Sequence, residues 1–329
     1  MNIIKKLLLT IIFFSLTTVG FAQTKMRITL QLPLKSNLGE NLILFKQEVE
    51  KRSDLKVEIY DSSQLYKDNE VPQAVGSGAI EAGVAGLTQY ASTNPEVDIF
   101  DLPFLFNSEA KVRKGTAPNS EIRKILDASI AKTGATVLYY QAYGGAIMLT
   151  KGKPWKTPAD FKDKKVRTFG KTLGEFVESM GGKPTIISAS EQYLAYQRGT
   201  VDAGMTGVTG VQNRKLWEVM DTITVTNHAD IEFLVVVNTK WFDRLNDKQK
   251  AAIKEAALIA EKHLRDDNER LEKEAFRLSK ENKMNVVELN QAEIAAFKKA
   301  SAKVYDEYIK RTGGKDGVGS KLINIANKY

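Results

Sequence analysis

Apolar and polar residues alternate through 26–32, the pattern of a strand with one buried face. Pro33 closes it, and Ser36 or Asn37 caps a helix in which Leu38, Leu42, Phe45 and Val49 recur at helical spacing. A second strand is expected at 56–60 and a second helix at 69–77, stopped by Gly78. Residues 80–86 then form a strand of small side chains that something can approach closely. The chain repeats this plan. Leu38-Gly39-Glu40 has its counterpart in Leu173-Gly174-Glu175, and residues 73–88 lie over residues 194–209. Ala74, Gly78, Ala82, Gly83, Gly86 and Thr88 match Ala195, Gly199, Ala203, Gly204, Gly207 and Thr209. Two similar α/β lobes facing each other across a cleft are expected; a chance match between two ordinary βαβ units is the alternative.

Between the repeats, 97–106 is strongly apolar and has to turn at Leu102-Pro103-Phe104, 121–132 is helical, and 136–141 is a strand. That strand runs into Tyr143-Gly144-Gly145, a flexible step suited to a crossover, and continues at 147–150. A short helix starts at Pro158, and 164–169 is a strand broken by Gly170 just before a helix that begins at Thr172. After the second repeat come a helix at 211–219 and strands at 222–226 and 231–238. Asn246 and Gln249 make a capping box for a helix over 247–282, roughly 54 Å long at the α-helical rise and able to lie along both lobes. Asp266, Asp267 and Asn268 interrupt any sustained heptad, against a coiled-coil seam. A strand at 286–289 and helices at 291–311 and 321–326 complete the chain.

The first 22 residues lie outside this plan. Lys5 and Lys6 precede an apolar run over 7–14, and Gly20-Phe21-Ala22 supplies small residues for cleavage before Gln23, so 1–22 reads as a secretory signal peptide. The run is too short for a spanning helix, although a retained anchor is the competing reading. There is no cysteine, which excludes a lipid-anchored lipoprotein, disulfides and thiolate–metal sites. The net charge of +8 is spread over interleaved Lys and Glu, as in EKHLRDDNERLEKE, with no aromatic platforms between them. That is a solvated helix face, and no nucleic-acid partner is expected.

Arg167 is the residue of chemical interest, because it sits near the carboxyl end of a strand, where ligands bind in α/β folds. Tyr143 and Gln141 either line the cleft or pack the hinge, and Phe169 either covers a ligand or belongs to the core. Thr88, Thr206 and Thr209 occupy corresponding strand ends, where a hydroxyl reaches a ligand or caps a helix. Of the two histidines, His228 and His263, neither has a second ligand at metal spacing, so no metal is expected. Gly76-Ser77-Gly78 follows a helix and precedes a strand, the reverse of a nucleotide loop, and Ser190 lacks a nucleophile elbow. No cofactor and no catalysis are expected.

Taken in order, several segments resemble the substrate-binding proteins of tripartite ATP-independent periplasmic (TRAP) transporters. They are Asp101-Leu102-Pro103-Phe104-Leu105-Phe106, Thr157-Pro158-Ala159-Asp160-Phe161-Lys162 followed by Lys165-Val166-Arg167, and Gly181-Gly182-Lys183-Pro184. Glu191-Gln192-Tyr193 leading to Gly199-Thr200-Val201-Asp202, and Thr226-Asn227-His228 with Asn238, extend the similarity over essentially the whole chain after the leader. The resemblance implies an α/β, two-lobed periplasmic binding protein fold with crossover strands and a long helix spanning both lobes. It places lobe I at 23–144 plus 233–272 and lobe II at 145–232 plus 273–329. It implies a monomer in the periplasm that traps a small organic acid and hands it to TRAP permease subunits. Arg167 would grip the ligand carboxylate through its planar fork, with Phe169, Thr88, Thr206, Tyr143, Gln141 and Asn238 as further ligand residues. A secreted ligand sensor and a bilobal secreted enzyme are the alternative functions.

The sequence also departs from the family pattern. Ile147 stands where a second arginine is often found, Thr206 where an asparagine is, Gly170 replaces a polar residue, and Ala189 replaces an aromatic. These departures leave Arg167 as the expected anionic anchor and suit a ligand with one carboxylate and a more apolar remainder.

Overall fold

A computed structural model describes residues 23–329; the leader segment lies outside the described residues. The strands are β1 (Lys25–Thr29), β2 (Lys56–Tyr60), β3 (Ala82–Gly86), β4 (Ala135–Thr150), β5 (Lys165–Thr168), β6 (Lys183–Ile186), β7 (Ala203–Gly207), β8 (Thr222–Val225), β9 (Asp230–Asn238) and β10 (Asn285–Glu288). Their order is β2-β1-β3-β9-β4-β7-β5-β6, with β8 beside β4 and β10 beside β8.

The internal repeat is a repeat of topology. In the first unit β1 pairs in parallel with both β2 and β3; in the second, β5 pairs in parallel with both β6 and β7. Each unit then meets a long strand antiparallel, β3 against β9 and β7 against β4. Gly78 and Gly199, which match in the sequence, both end a helix with positive φ, +83° and +67°, where a side chain would be strained.

β4 joins the two units. Two strands with a flexible step were expected, but the chain runs through as one strand of 16 residues. Residues 135–145 pair with β9, with register shifts at Val137/Tyr139 and Ala142/Gly144, while 146–150 pair with β7 and β8. The glycines therefore serve a bulge inside a continuous strand, and Gly144 has φ +92°.

The long helix Asp247–Glu281 holds this junction from outside. Its capping box forms as expected: Asn246 Oδ1 accepts from the Gln249 N–H at 2.9 Å, and Gln249 Oε1 from the Asn246 N–H at 3.2 Å. The helix packs on Asn37–Arg52 in the first unit, on Val208–Asn213 in the second, and on β4 between them. Arg265 forms a buried fork with Glu232 of β9, both bonds 2.6 Å, and Glu272 accepts from the Gly145 N–H at 3.1 Å.

Several local readings shift. The helix expected over 291–311 breaks at Ser301 into Gln291–Ala300 and Ala302–Arg311. Residues 97–106 turn where expected: Pro95–Asp101 is a 3₁₀ helix, followed by a turn in which Phe104 takes φ +61° and donates its N–H to the His228 carbonyl at 2.8 Å. The helix Glu109–Thr116 was not anticipated, whereas β6 fills the second-strand position that the repeat implies.

Burial pushes the Glu272 carboxyl from its usual range up to about 7, only partly offset by the bond from Gly145. The folded state thus holds this proton more tightly than the unfolded chain. Stability from this group is fully present below the ordinary carboxyl pKa and is lost as pH rises through about 7. We expect Glu272→Gln to remove up to about 1.4 kcal/mol per pH unit of slope in this window and to melt higher than wild type at pH 8. Thermal unfolding from pH 4.5 to 8 checks this; an unchanged slope contradicts it.

Candidate functional site

Between the two units lies a cavity with about 540 Å³ of space unfilled by protein, solvent at its mouth included. Its walls come from the ends of repeated strands: Leu87, Thr88 and Gln89 after β3, Phe169 after β5, Thr206 at the end of β7, and Ile231 and Phe233 from β9. The repeat thus puts two equivalent strand ends face to face, each ending in glycines that let the backbone come close.

Arg167, on β5, is only 2% exposed. Its Nε donates to the Ile187 carbonyl at 2.9 Å and its Nη1 to the Met205 carbonyl at 2.5 Å. Both acceptors are neutral, and no carboxylate among the described residues forms an ion pair with it. Burial, with Arg214 adding repulsion, lowers its pKa to about 10, while Tyr196, Asp68 and Tyr143 act the other way. The Phe169 ring lies against the guanidinium, 5.4 Å from centroid to Cζ.

Arg214 is a second cation in the wall, and the sequence reading did not find it. It follows the short helix Val208–Asn213 and donates from Nη2 to Thr206 Oγ1 at 2.7 Å, while its buried Nε has no partner. Only the stretch Asn213-Arg214-Lys215 signalled it, and nothing in that run tells which of two basic side chains turns inward. Other wall atoms also lack partners: Tyr143 Oη, Asp101 Oδ2 and Asp230 Oδ1. Burial first, then Asp98, raises the Asp101 carboxyl well above its usual range; burial and Glu232 do the same to Asp230.

Of the seven residues singled out in the sequence, Arg167, Phe169, Thr88, Thr206 and Tyr143 line this cavity. Gln141 and Asn238 do not. Gln141 is fully buried against the first helix, donating to the Leu38 carbonyl at 3.2 Å and to Asn41 Oδ1 at 2.7 Å. Asn238 caps the helix Thr239–Asp243 and donates to the Val75 carbonyl at 2.8 Å. Both are strand residues whose side chains face neighbouring helices. Ile147 and Met205 are core residues, whereas Ala189 does border the cavity. Thr209 is buried outside the cavity wall.

Hydrogen bonds tie the two walls together around the cavity. Ser188 donates to Asp68 at 2.6 Å, and Gln89 Nε2 donates to the Phe169 carbonyl at 3.1 Å. Beneath, buried Asp98 accepts from Thr88 and from Thr172, both at 2.6 Å, and Arg311 joins Asp98 to Glu175. His228, far from being a metal ligand, is neutral in this core. Burial lowers its pKa to about 3, and it stacks on Phe176 with centroids 4.6 Å apart.

A buried arginine in a cavity between two α/β units joined by a crossover strand is the architecture of a two-lobed solute-binding protein. Residues 30–312 match the family described as DctP, bacterial extracellular solute-binding protein family 7, and the chain belongs to that family. It is therefore a substrate-binding transport protein and not an enzyme. The C4-dicarboxylate-binding periplasmic protein DctP of Rhodobacter capsulatus is 28% identical over 280 residues, 84% of this chain and 83% of that protein. A TRAP periplasmic solute-binding protein from Sulfurospirillum deleyianum, solved with bound succinate, superposes with a TM-score of 0.84 at 24% identity, covering 93% of this chain and 99% of that one. An extracytoplasmic solute receptor of Bordetella pertussis that binds pyroglutamic acid gives 0.86 at 22% identity, covering 92% and 99%. Among the described residues, no helix is long and apolar enough to cross a membrane.

Gly170 tests the contact between the walls. A methyl group there would overlap Thr88 Oγ1 and sit 3.1 Å from its methyl, across the cavity mouth. The backbone is extended at Gly170, so alanine adds no conformational strain. We expect Gly170→Ala to hold the walls apart, weakening binding of any ligand that needs closure by roughly tenfold. The ligand-free melting temperature should change little. Small-angle scattering of the ligand-free variant should show a larger radius of gyration than wild type; an identical radius contradicts the expectation.

Proposed function

We propose that the cavity captures a small organic acid, with Arg167 as the principal contact to its carboxylate, and that the protein delivers it to TRAP permease subunits. The observation that carries this reading is the buried guanidinium of Arg167, bonded only to neutral carbonyls and facing an enclosed space. A cation removed from water without a counter-ion is costly, and a ligand carboxylate offsets that cost with charge-assisted hydrogen bonds. The relatives named for dicarboxylates and for pyroglutamate support the ligand class.

Phe169, Thr88, Thr206 and Tyr143 serve as further ligand-facing residues, whereas Gln141 and Asn238 act as scaffold. Residues 1–22 direct the chain to the periplasm and are removed, leaving a monomer. The lobes comprise 23–144 with 233–272 and 145–232 with 273–329. They rotate about β4 and the long helix, and the Asp98 and Ser188 bonds hold the closed form.

We expect succinate or pyroglutamate, at a thousandfold excess over Kd, to stabilise the wild type by about 4 kcal/mol. Arg167→Gln should lose about 2–5 kcal/mol of that binding, so its melting curve no longer responds to the acid. Thermal unfolding with and without each acid reads the result. An equal shift in both proteins would rule out Arg167 as the anchor.

A further inference from the structure

We propose that Arg214 is the second arm of a clamp that closes with Arg167 on one ligand carboxylate, and that the solute is a monocarboxylate with an apolar body. This rests on the organic-acid reading above and assigns the chemistry of the cavity's lining.

The two guanidiniums are anchored on consecutive residues of one strand. Arg167 Nη1 donates to the carbonyl of Met205, and Arg214 Nη2 donates to the hydroxyl of Thr206. Consecutive Cα atoms lie about 3.8 Å apart, so the heads converge on a region the size of one carboxylate. Beside the larger effect of burial, Arg214 also lowers the proton affinity of Arg167, as expected of like charges at short range.

Gly210 shows how tightly this end is drawn in. A methyl group at Gly210 would collide with Arg214 Nη2 and lie 2.7 Å from both Thr206 Oγ1 and Tyr143 Oη. The two oxygens are therefore within twice that distance of one another. Thr206 Oγ1 already accepts from Arg214, whereas buried Tyr143 Oη has no partner. Together with the unpartnered Nε of Arg214, this leaves two donors beside Arg167 without an acceptor. An anion placed there satisfies both and separates the two like charges.

Ile147 explains why the arm comes from residue 214. It pairs with Thr206 in the sheet and is buried in the second core cluster, beside Leu149 and Val211. The cation instead follows the short helix after β7 and reaches Thr206 at the end of that strand.

The rest of the lining is of a different kind: Leu87, Val97, Phe100, Ile231 and Phe233 are apolar, and Asp68, Asp101, Asp230 and Glu232 are acidic. The two arginines are the only lysine, arginine or histidine side chains among the lining residues. A second carboxylate would exchange water for hydrocarbon and acid groups with no further cation to meet it. An apolar body is favoured there over a second carboxylate.

The test is isothermal titration of wild type, Arg214→Gln and Arg214→Lys with three probes: pyroglutamate, 4-methyl-2-oxopentanoate and succinate. The proposal expects a monocarboxylate to bind the wild type more tightly than succinate. Arg214→Gln should weaken that monocarboxylate at least tenfold, and Arg214→Lys less, since it keeps the charge and loses the fork. Ligand-free melting curves establish that the variants are folded, and the lysine variant carries the comparison if the glutamine variant is not. Unchanged affinity in a folded Arg214 variant overturns the clamp and leaves the organic-acid reading in place. Tightest binding of succinate overturns the single-carboxylate assignment. Failure of all three acids to bind the wild type overturns the organic-acid reading and the clamp with it.

Discussion

A guanidinium that has given up water for protein carbonyls keeps its charge, and something must neutralise that charge. Arg167 is in this position, and much of the second unit is arranged to keep it there. β6 ends so that the Ile187 carbonyl meets Nε, β7 presents the Met205 carbonyl to Nη1, and Phe169 shields the face of the group. Carbonyl dipoles orient the fork but cannot balance it, which is why we propose that the site receives an anion.

The same economy is visible where the two units meet. A binding protein has to exclude water once its ligand is in place, yet must reopen, so its hinge needs a continuous backbone and a contact surface that can be made and broken. β4 provides the first, changing partners from β9 to β7 and β8 within one strand. The bonds of Asp98 to Thr88 and Thr172, and of Ser188 to Asp68, provide the second. These are short polar contacts between small side chains, which lose little conformational freedom when they form. Across the back, the Arg265–Glu232 fork and the Glu272–Gly145 bond fix the long helix to β9 and to β4 where β4 changes partners.

Strands, helices and their order were legible in the sequence wherever apolar spacing was regular, and the long helix was legible from its capping box. The repeat was legible because both halves need glycine at the same left-handed turn and small residues in the same buried strand; Gly78 with Gly199 and Ala82 with Ala203 carried that signal. Where sequence reasoning lost the thread, a long-range contact decided. Gly144 and Gly145 suggest a break, but pairing with β9 and the Glu272 carboxylate keep the strand intact. Gln141 and Asn238 sit on strands near the cavity, yet their side chains face helices, a choice that depends on which face each strand packs. Arg214 lay in a basic run with an exposed lysine neighbour, and only the tertiary approach of Thr206 and Tyr143 distinguishes it. The substitution of Ile147 suggested that a cation had been lost from the pocket, whereas the structure supplies one from another element.

The most direct measurement is a crystal structure of the protein purified with its own solute, solved without added acid. The account predicts one carboxylate within hydrogen-bonding distance of both Arg167 and Arg214, with the remainder of the molecule against Leu87, Phe100 and Phe233. A solute whose carboxylate is held elsewhere in the cavity, or one with no carboxylate at all, would contradict it.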